Sequence, residues 1–107
     1  MIARIWHGCT TVVNAESYEK LLKQEVFGSI EEKKVDGYLG IQLLKRQLEN
    51  EVEFTTIMWF ENLESVKAFA GENYEVAYVP AKARALLSHF DEKSVHCEVI
   101  HELHYDL

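Results

Sequence analysis

The sequence predicts an α+β fold: one antiparallel sheet with its helices packed on a single face. Three observations carry that reading. Segments of period two and segments of helical period follow one another in the order β-α-β-β-α-β. The two central strands are joined by a connection too short for anything but a hairpin, so they pair antiparallel. At 107 residues, with 48% apolar and 27% charged side chains, the chain has the composition and size of one globular domain spanning residues 1–107.

Ile2 to Cys9 alternates and carries Ile2, Ile5 and Trp6, which marks the first strand. Asn14 is a good helix N-cap, and Glu16 falls in the favourable first turn. Tyr18, Leu21, Leu22 and Val26 then recur at helical spacing, with Glu16/Lys20 and Glu19/Lys23 supporting the polar face. Gly28 ends or bends this helix, and Ser29 with Glu32 caps a further turn. Asp36–Tyr38 is a turn signal ahead of a second strand, Leu39 to Arg46. Gln47–Asn50 is the hairpin connection. Glu51 to Phe60, "EVEFTTIMWF", is the strongest strand in the chain, rich in aromatic and β-branched types. Asn62 caps a helix that carries Val66, Phe69 and Ala70 and stops at Gly71. "NYEVAY" predicts a helical turn with Tyr74 and Tyr78 on one face. Pro80 starts a short helix with Leu86, Leu87 and Phe90 turned inward. Val95 to Glu102 is the final strand.

Right-handed crossovers arrange these elements as a ferredoxin-like sheet of strand order 4-1-3-2. Helices then cover one face, and the other reads polar only if water covers it. It does not read polar. In the third strand Val52, Phe54, Thr56, Met58 and Phe60 share one face, while Glu53, Thr55, Ile57 and Trp59 share the other. Both are largely apolar toward Phe60. The simplest cover for such a patch is a second copy of the same sheet, so a homodimer is expected.

A net charge of −7 disfavours phosphate-rich partners, since no surplus of Lys and Arg exists to displace counterions. Nucleic acid and anionic membrane surfaces are therefore excluded as expected partners. An RNA-binding reading of the same strand order fails again on "EFTTIMWF", which lacks the Gly and Arg of that signature. The start "MIARIWHG" has no apolar signal region, and no stretch is long enough to span a bilayer. A cytoplasmic location with reduced Cys9 and Cys97 follows as the expectation. In the predicted sheet these cysteines lie at the same end of neighbouring strands.

"MIARIWHG", "EFTTIMWFENLESVKAFAGE" and "AYVP…LLSHFDEKSVHCEV" together resemble the antibiotic biosynthesis monooxygenase family, small proteins of the dimeric α/β-barrel type. The resemblance runs from residue 1 to about residue 100 and is most specific at "WFENLESVKAFAGE". It implies one of two chemistries. The first is oxygenation of a phenolic substrate without metal or organic cofactor, the deprotonated substrate supplying the electrons. The second is haem breakdown, which in the bacterial haem-degrading members uses an Asn on the first strand, a Trp on the third and a ligating His in the second helical region. Trp59 matches the Trp. His7 and Gly8 stand where the Asn would be, and the ligating position falls near Tyr78 or Val79. Asn62 to Ser88 contains no His. Haem chemistry of that type is therefore not expected, and no cofactor is.

The candidate site residues follow. His7 and His96 are candidates for proton transfer, since imidazole titrates near neutral pH. Trp59 lines a substrate pocket between sheet and helices, or simply fills core. Tyr74 and Tyr78 offer two hydroxyls to a small-molecule ligand, or lie with exposed tips. Arg84 pairs with an anionic substrate group, or is a solvated helix arginine. "HELH" at His101–His104 fails as a zinc-protease motif, because the spacing is three and a strand would put the rings on opposite faces. His96 and Glu98 share a face but lack the further ligands that a metal needs, so no metal site is expected. Two functions remain open: a monooxygenase acting on a small aromatic or quinol-like substrate, and a non-catalytic ligand-binding or stress-related protein of the same fold.

Overall fold

The computed structural model describes residues 1–104. Five strands form one antiparallel sheet: β1 (Ile2–Thr11), β2 (Tyr38–Gln47), β3 (Glu51–Phe60), β4 (Leu87–Phe90) and β5 (Val95–Glu98). The order is β2-β3-β1, with β4 and β5 both pairing the free edge of β1. The expected order 4-1-3-2 is therefore realised, with the last strand in two pieces. β4 pairs Gly8–Thr10 and β5 pairs Ile2–Ile5. The gap between them is closed by Asp91. Its backbone N–H donates to the His7 carbonyl at 2.9 Å, and its Oδ2 accepts from the His7 N–H at 3.0 Å.

The first helical region runs without a break from α1 (Ala15–Leu21) through a π-helical turn (Leu22–Val26) into α2 (Phe27–Glu32). Gly28 lies inside α2 and does not end it. Asn14 precedes α1, but its side chain makes no cap; the amide Nδ2 donates instead to the Leu86 carbonyl at 3.3 Å. Asn62 does cap α3 (Leu63–Ala70): its Oδ1 accepts from the Ser65 N–H at 3.0 Å, a contact of about 1 kcal/mol. Gly71 ends α3 at φ +89°, a conformation that side chains disfavour. The last helix, α4, is Ala81–Leu86.

Four further expectations fail. Leu87 and Phe90 belong to a strand rather than to the preceding helix, because the ten-residue β1 has a long free edge to satisfy. The final strand stops at Glu98 rather than Glu102, since β1 begins at Ile2 and offers no partner beyond it. "NYEVAY" forms no helix. Val76 bridges Lys93, and the Ala77 N–H donates to the Glu92 carbonyl at 2.9 Å, so this stretch is tied to the β4–β5 loop. Cys9 and Cys97 do not lie at the same end. Cys9 sits opposite His89 and Cys97 opposite Ala3, so six residues of β1, roughly 20 Å, separate their levels.

Alternation along the strands gives the sheet two unlike faces. Val52, Phe54, Met58 and Phe60 turn toward the helices and are buried. They build two clusters. One gathers Tyr18, Leu22 and Ala83 on Val52 and Phe54; the other gathers Ile30, Val66 and Phe69 on Met58 and Phe60. Aromatic edges lock both: Tyr18 meets Phe54 at 5.0 Å and Phe60 meets Phe69 at 5.8 Å between ring centres.

Candidate functional site

A crevice separates the two clusters and is the candidate ligand site. Its floor is sheet: Arg4 and Trp6 of β1, Ile41 of β2, Thr56 and Met58 of β3. Its wall is helix: Tyr18, Leu22, Val26, Phe27 and Ile30, which span the π-helical turn. Such wide turns recur at functional sites, and here the turn itself faces the crevice. Tyr78, Val79 and Pro80 lie over the mouth. Room for the centres of water-sized molecules is about 60 Å³, within about 550 Å³ of unfilled space that opens to solvent.

The one charged group in that lining is Arg4, and it is only 4% exposed. One terminal nitrogen, Nη1, donates to the Tyr74 carbonyl and, at 2.9 Å, to Nε2 of His96. The other, Nη2, donates to the Val76 carbonyl at 3.3 Å. Phe69 lies beneath the guanidinium at 5.7 Å. No carboxylate pairs with Arg4 among the described residues. Burial lowers its pKa to about 10, far enough above neutrality to keep the charge. The same cation helps to hold His96 neutral: burial first and Arg4 second push its pKa below 6.5, against a smaller opposing pull from Glu75.

Trp6 completes the floor. Its Nε1–H donates to the Asp91 carbonyl at 2.7 Å. Gly8 makes room for the indole, since a Cβ there would stand 2.4 Å from Trp6 Cη2.

The sequence-derived residues scatter around this crevice. Tyr78 lines its mouth, 56% exposed. His96 is on the helix-facing side and reaches the crevice through Arg4. Tyr74 packs edge-on against His96 at 5.2 Å and turns its carbonyl, not its hydroxyl, to the site. Trp59 is not in the pocket. It shares the outer face with Thr55 and Ile57, where its Nε1–H donates to Gln42 Oε1 at 3.3 Å. Phe60 is the aromatic at that level that turns inward, so the Trp59 assignment is off by one residue and hence by one face. His7 is also on the outer face, bound through Nδ1 to Asp91 Oδ2 at 2.9 Å. Arg84 points to the surface, its Nε–H donating to the Val79 carbonyl at 3.1 Å and its guanidinium over Phe90. Sequence reasoning missed Arg4 and Trp6. A signal existed: Ile2, Arg4 and Trp6 share one face of "IARIW", so one charge stands in a row of core residues.

Haem does not fit this lining. No imidazole stands among the described lining residues to ligate a haem iron. Every imidazole on the strands is committed elsewhere: His96 to Arg4, His7 to Asp91 and His89 to Glu51.

No family model matches the sequence, and no curated protein matches it. Solved structures do. A candidate antibiotic biosynthesis monooxygenase of Bacillus cereus superposes with a TM-score of 0.72 at 13% identity, covering 100% of this chain and 98% of that one. The haem-degrader MhuD of Mycobacterium tuberculosis, with two haems in its active site, gives 0.61 at 19% identity over 97% of this chain and 100% of that one. A variant of MhuD with two manganese protoporphyrin IX molecules per active site gives 0.67 at 18% identity over 98% and 100%. The chain thus has, over its whole length, the ferredoxin-like fold of antibiotic biosynthesis monooxygenase-like proteins.

Proposed function

We propose that the protein is a homodimer in which each chain binds a small anionic aromatic molecule, of phenol or quinol type, beneath its helices and oxygenates it without metal or organic cofactor. Arg4 carries this reading. A buried cation without an acidic partner costs several kcal/mol unless something compensates it, by the general penalty of about that size for a charge in low dielectric. A phenolate or carboxylate in the crevice would supply that compensation. The guanidinium has its Nε–H and one Nη2–H left over from the bonds described, the edge that takes two oxygens side by side.

In the reaction, a phenol with hydrogen on its para carbon and dioxygen give a para-quinone and water. The substrate supplies all the electrons and both hydrogens of the water, so no external reductant enters. Arg4 stabilises the phenolate, which is the electron-rich form. His96, kept neutral, is positioned to take a proton when the ligand displaces its bond to Arg4. Trp6 and Tyr78 bound the ring and exclude water. The dimer is supported by the outer face: Leu39, Leu44 and Val95 are 52%, 46% and 57% exposed beside Ile57 and Trp59. Both thiols are free, which suits a reducing cytosol.

A second reading, binding without turnover, is favoured by the tightness of the crevice. Oxygen uptake and equilibrium binding with a panel of naphthols and phenols that carry hydrogen on the para carbon separate the two. Protein-dependent uptake, lost in Arg4→Met, supports oxygenation. Saturable quenching of tryptophan fluorescence without uptake supports binding alone. Neither uptake nor binding overturns both.

A further inference from the structure

The opposite face of the sheet carries a different cluster. At the Thr11 end of β1, far from the apolar patch, Cys9 lies opposite His89 of β4 on one side and Glu53 of β3 on the other. Glu51 reaches the same point. Cys9 Sγ, His89 Nε2 and a Glu51 carboxylate oxygen all lie within 4.8 Å of one another. We propose that these three side chains bind a borderline divalent cation of the zinc class, with water in the fourth position.

The donor set selects the ion. A thiolate, an imidazole and a carboxylate together are zinc-type ligands, whereas magnesium and calcium take oxygen only. Position makes the set rigid. The three ligands come from β1, β3 and β4, three adjacent strands whose register is fixed by backbone bonds. Cys9 is 5% exposed, so its thiol lies beneath the surface of the sheet. The field is prepared as well. Glu51 and Glu53 flank the thiol from β3. The negative potential that disfavours a bare thiolate is the one that attracts a cation. His89 Nε2 now stands 3.0 Å from both Glu51 oxygens, a contact that needs a shared proton. The cation takes the place of the thiol proton, which is released on binding, while His89 binds through Nε2 as a neutral imidazole with its proton on Nδ1. Its place on the face away from the crevice makes it a clamp across three strands and not a part of the proposed oxygenation.

Cobalt(II) titration with optical detection is the test, since a thiolate ligand adds a near-ultraviolet charge-transfer band. One ion per chain with that band is expected, together with zinc competition and proton release. Cys9→Ser removes the band. His89→Ala, at an exposed position that leaves the core intact, weakens binding by more than about tenfold, the least that disturbing a ligand shell costs. Zinc raises the melting temperature of the parent protein and not of His89→Ala. Absence of the charge-transfer band overturns the proposal. So does binding that survives in His89→Ala but is lost in His101→Ala/His104→Ala, which would place the ion on the C-terminal tail.

Discussion

The inner and outer faces of β1 and β3 are made by the same twenty residues and behave as two different surfaces. On the inner face the side chains pack against the helices, and the one charge in the row, Arg4, is itself buried beside the crevice. On the outer face Ile5, Ile57 and Trp59 are only half-buried by the described residues, while the other end is crowded with charge: Glu53 bound to Arg46, Glu51 to His89, Asp91 to His7. One face is interrupted by a cation and the other divided between an apolar and an ionic half. The difference teaches that a two-residue period separates ligand handling from assembly within single strands, so that neighbours in sequence serve unrelated ends.

Truncation on the two faces gives the largest contrast. Phe54 is fully buried between Tyr18 and Val52. Phe54→Ala is expected to cost about 3–5 kcal/mol in a urea titration. Thr55→Ala, one residue away on the outer face, is expected to stay within about 0.5 kcal/mol. Equal costs would mean that the outer face is as tightly packed as the inner one.

Ile57→Glu sharpens the outer side next. A carboxylate amid Ile5, Val95 and Trp59 meets water in a monomer but is buried by a second sheet. Sedimentation is expected to show a dimer for the parent chain and a folded monomer for the variant. An interface anchor of about 2 kcal/mol or more corresponds to at least a thirtyfold weaker association. A dimer that persists in Ile57→Glu would place the interface elsewhere.

Much of this is legible in the sequence. Strand order, the β2–β3 hairpin, the Asn62 cap and the Gly71 stop all follow from local chemistry that tertiary packing reinforces. The region from Gly71 to Glu98 was less so. Residues 87–90 have no strong period of their own, and only the free edge of β1 makes them a strand. The Tyr74–Tyr78 spacing suggested a helix, but the stretch is held by backbone bonds to residues 92–94, a long-range pairing that no local pattern announces. The site divided in the same way. Tyr78 and His96 were readable as polar groups near a pocket. Trp59 was misplaced because the face of a strand flips with each residue, and Arg4 was passed over although it shares a row with Ile2 and Trp6. The cluster of Cys9, Glu51 and His89 joins residues up to eighty positions apart and needed the register to appear.

The smallest effect bears on the inner face alone. His96 has its pKa depressed by burial and by Arg4, so the unfolded chain takes up a proton at higher pH than the folded one does. Stability from this group is therefore full above the ordinary value of 6.5 and is lost as pH falls from there toward the folded pKa. His96→Gln keeps an acceptor for Arg4 but cannot titrate. Between roughly pH 7.5 and pH 5 the parent is expected to lose more stability than the variant, by less than about 1 kcal/mol, because the partly exposed ring is screened by solvent. A bound anion on Arg4 should cancel the effect of the Arg4 charge on His96. The excess loss in the parent is then expected to shrink when a saturating naphthol is present, measured by urea midpoints at the two pH values. An unchanged difference would mean that the ligand's charge does not reach Arg4, and the crevice would lose its claim to select anions.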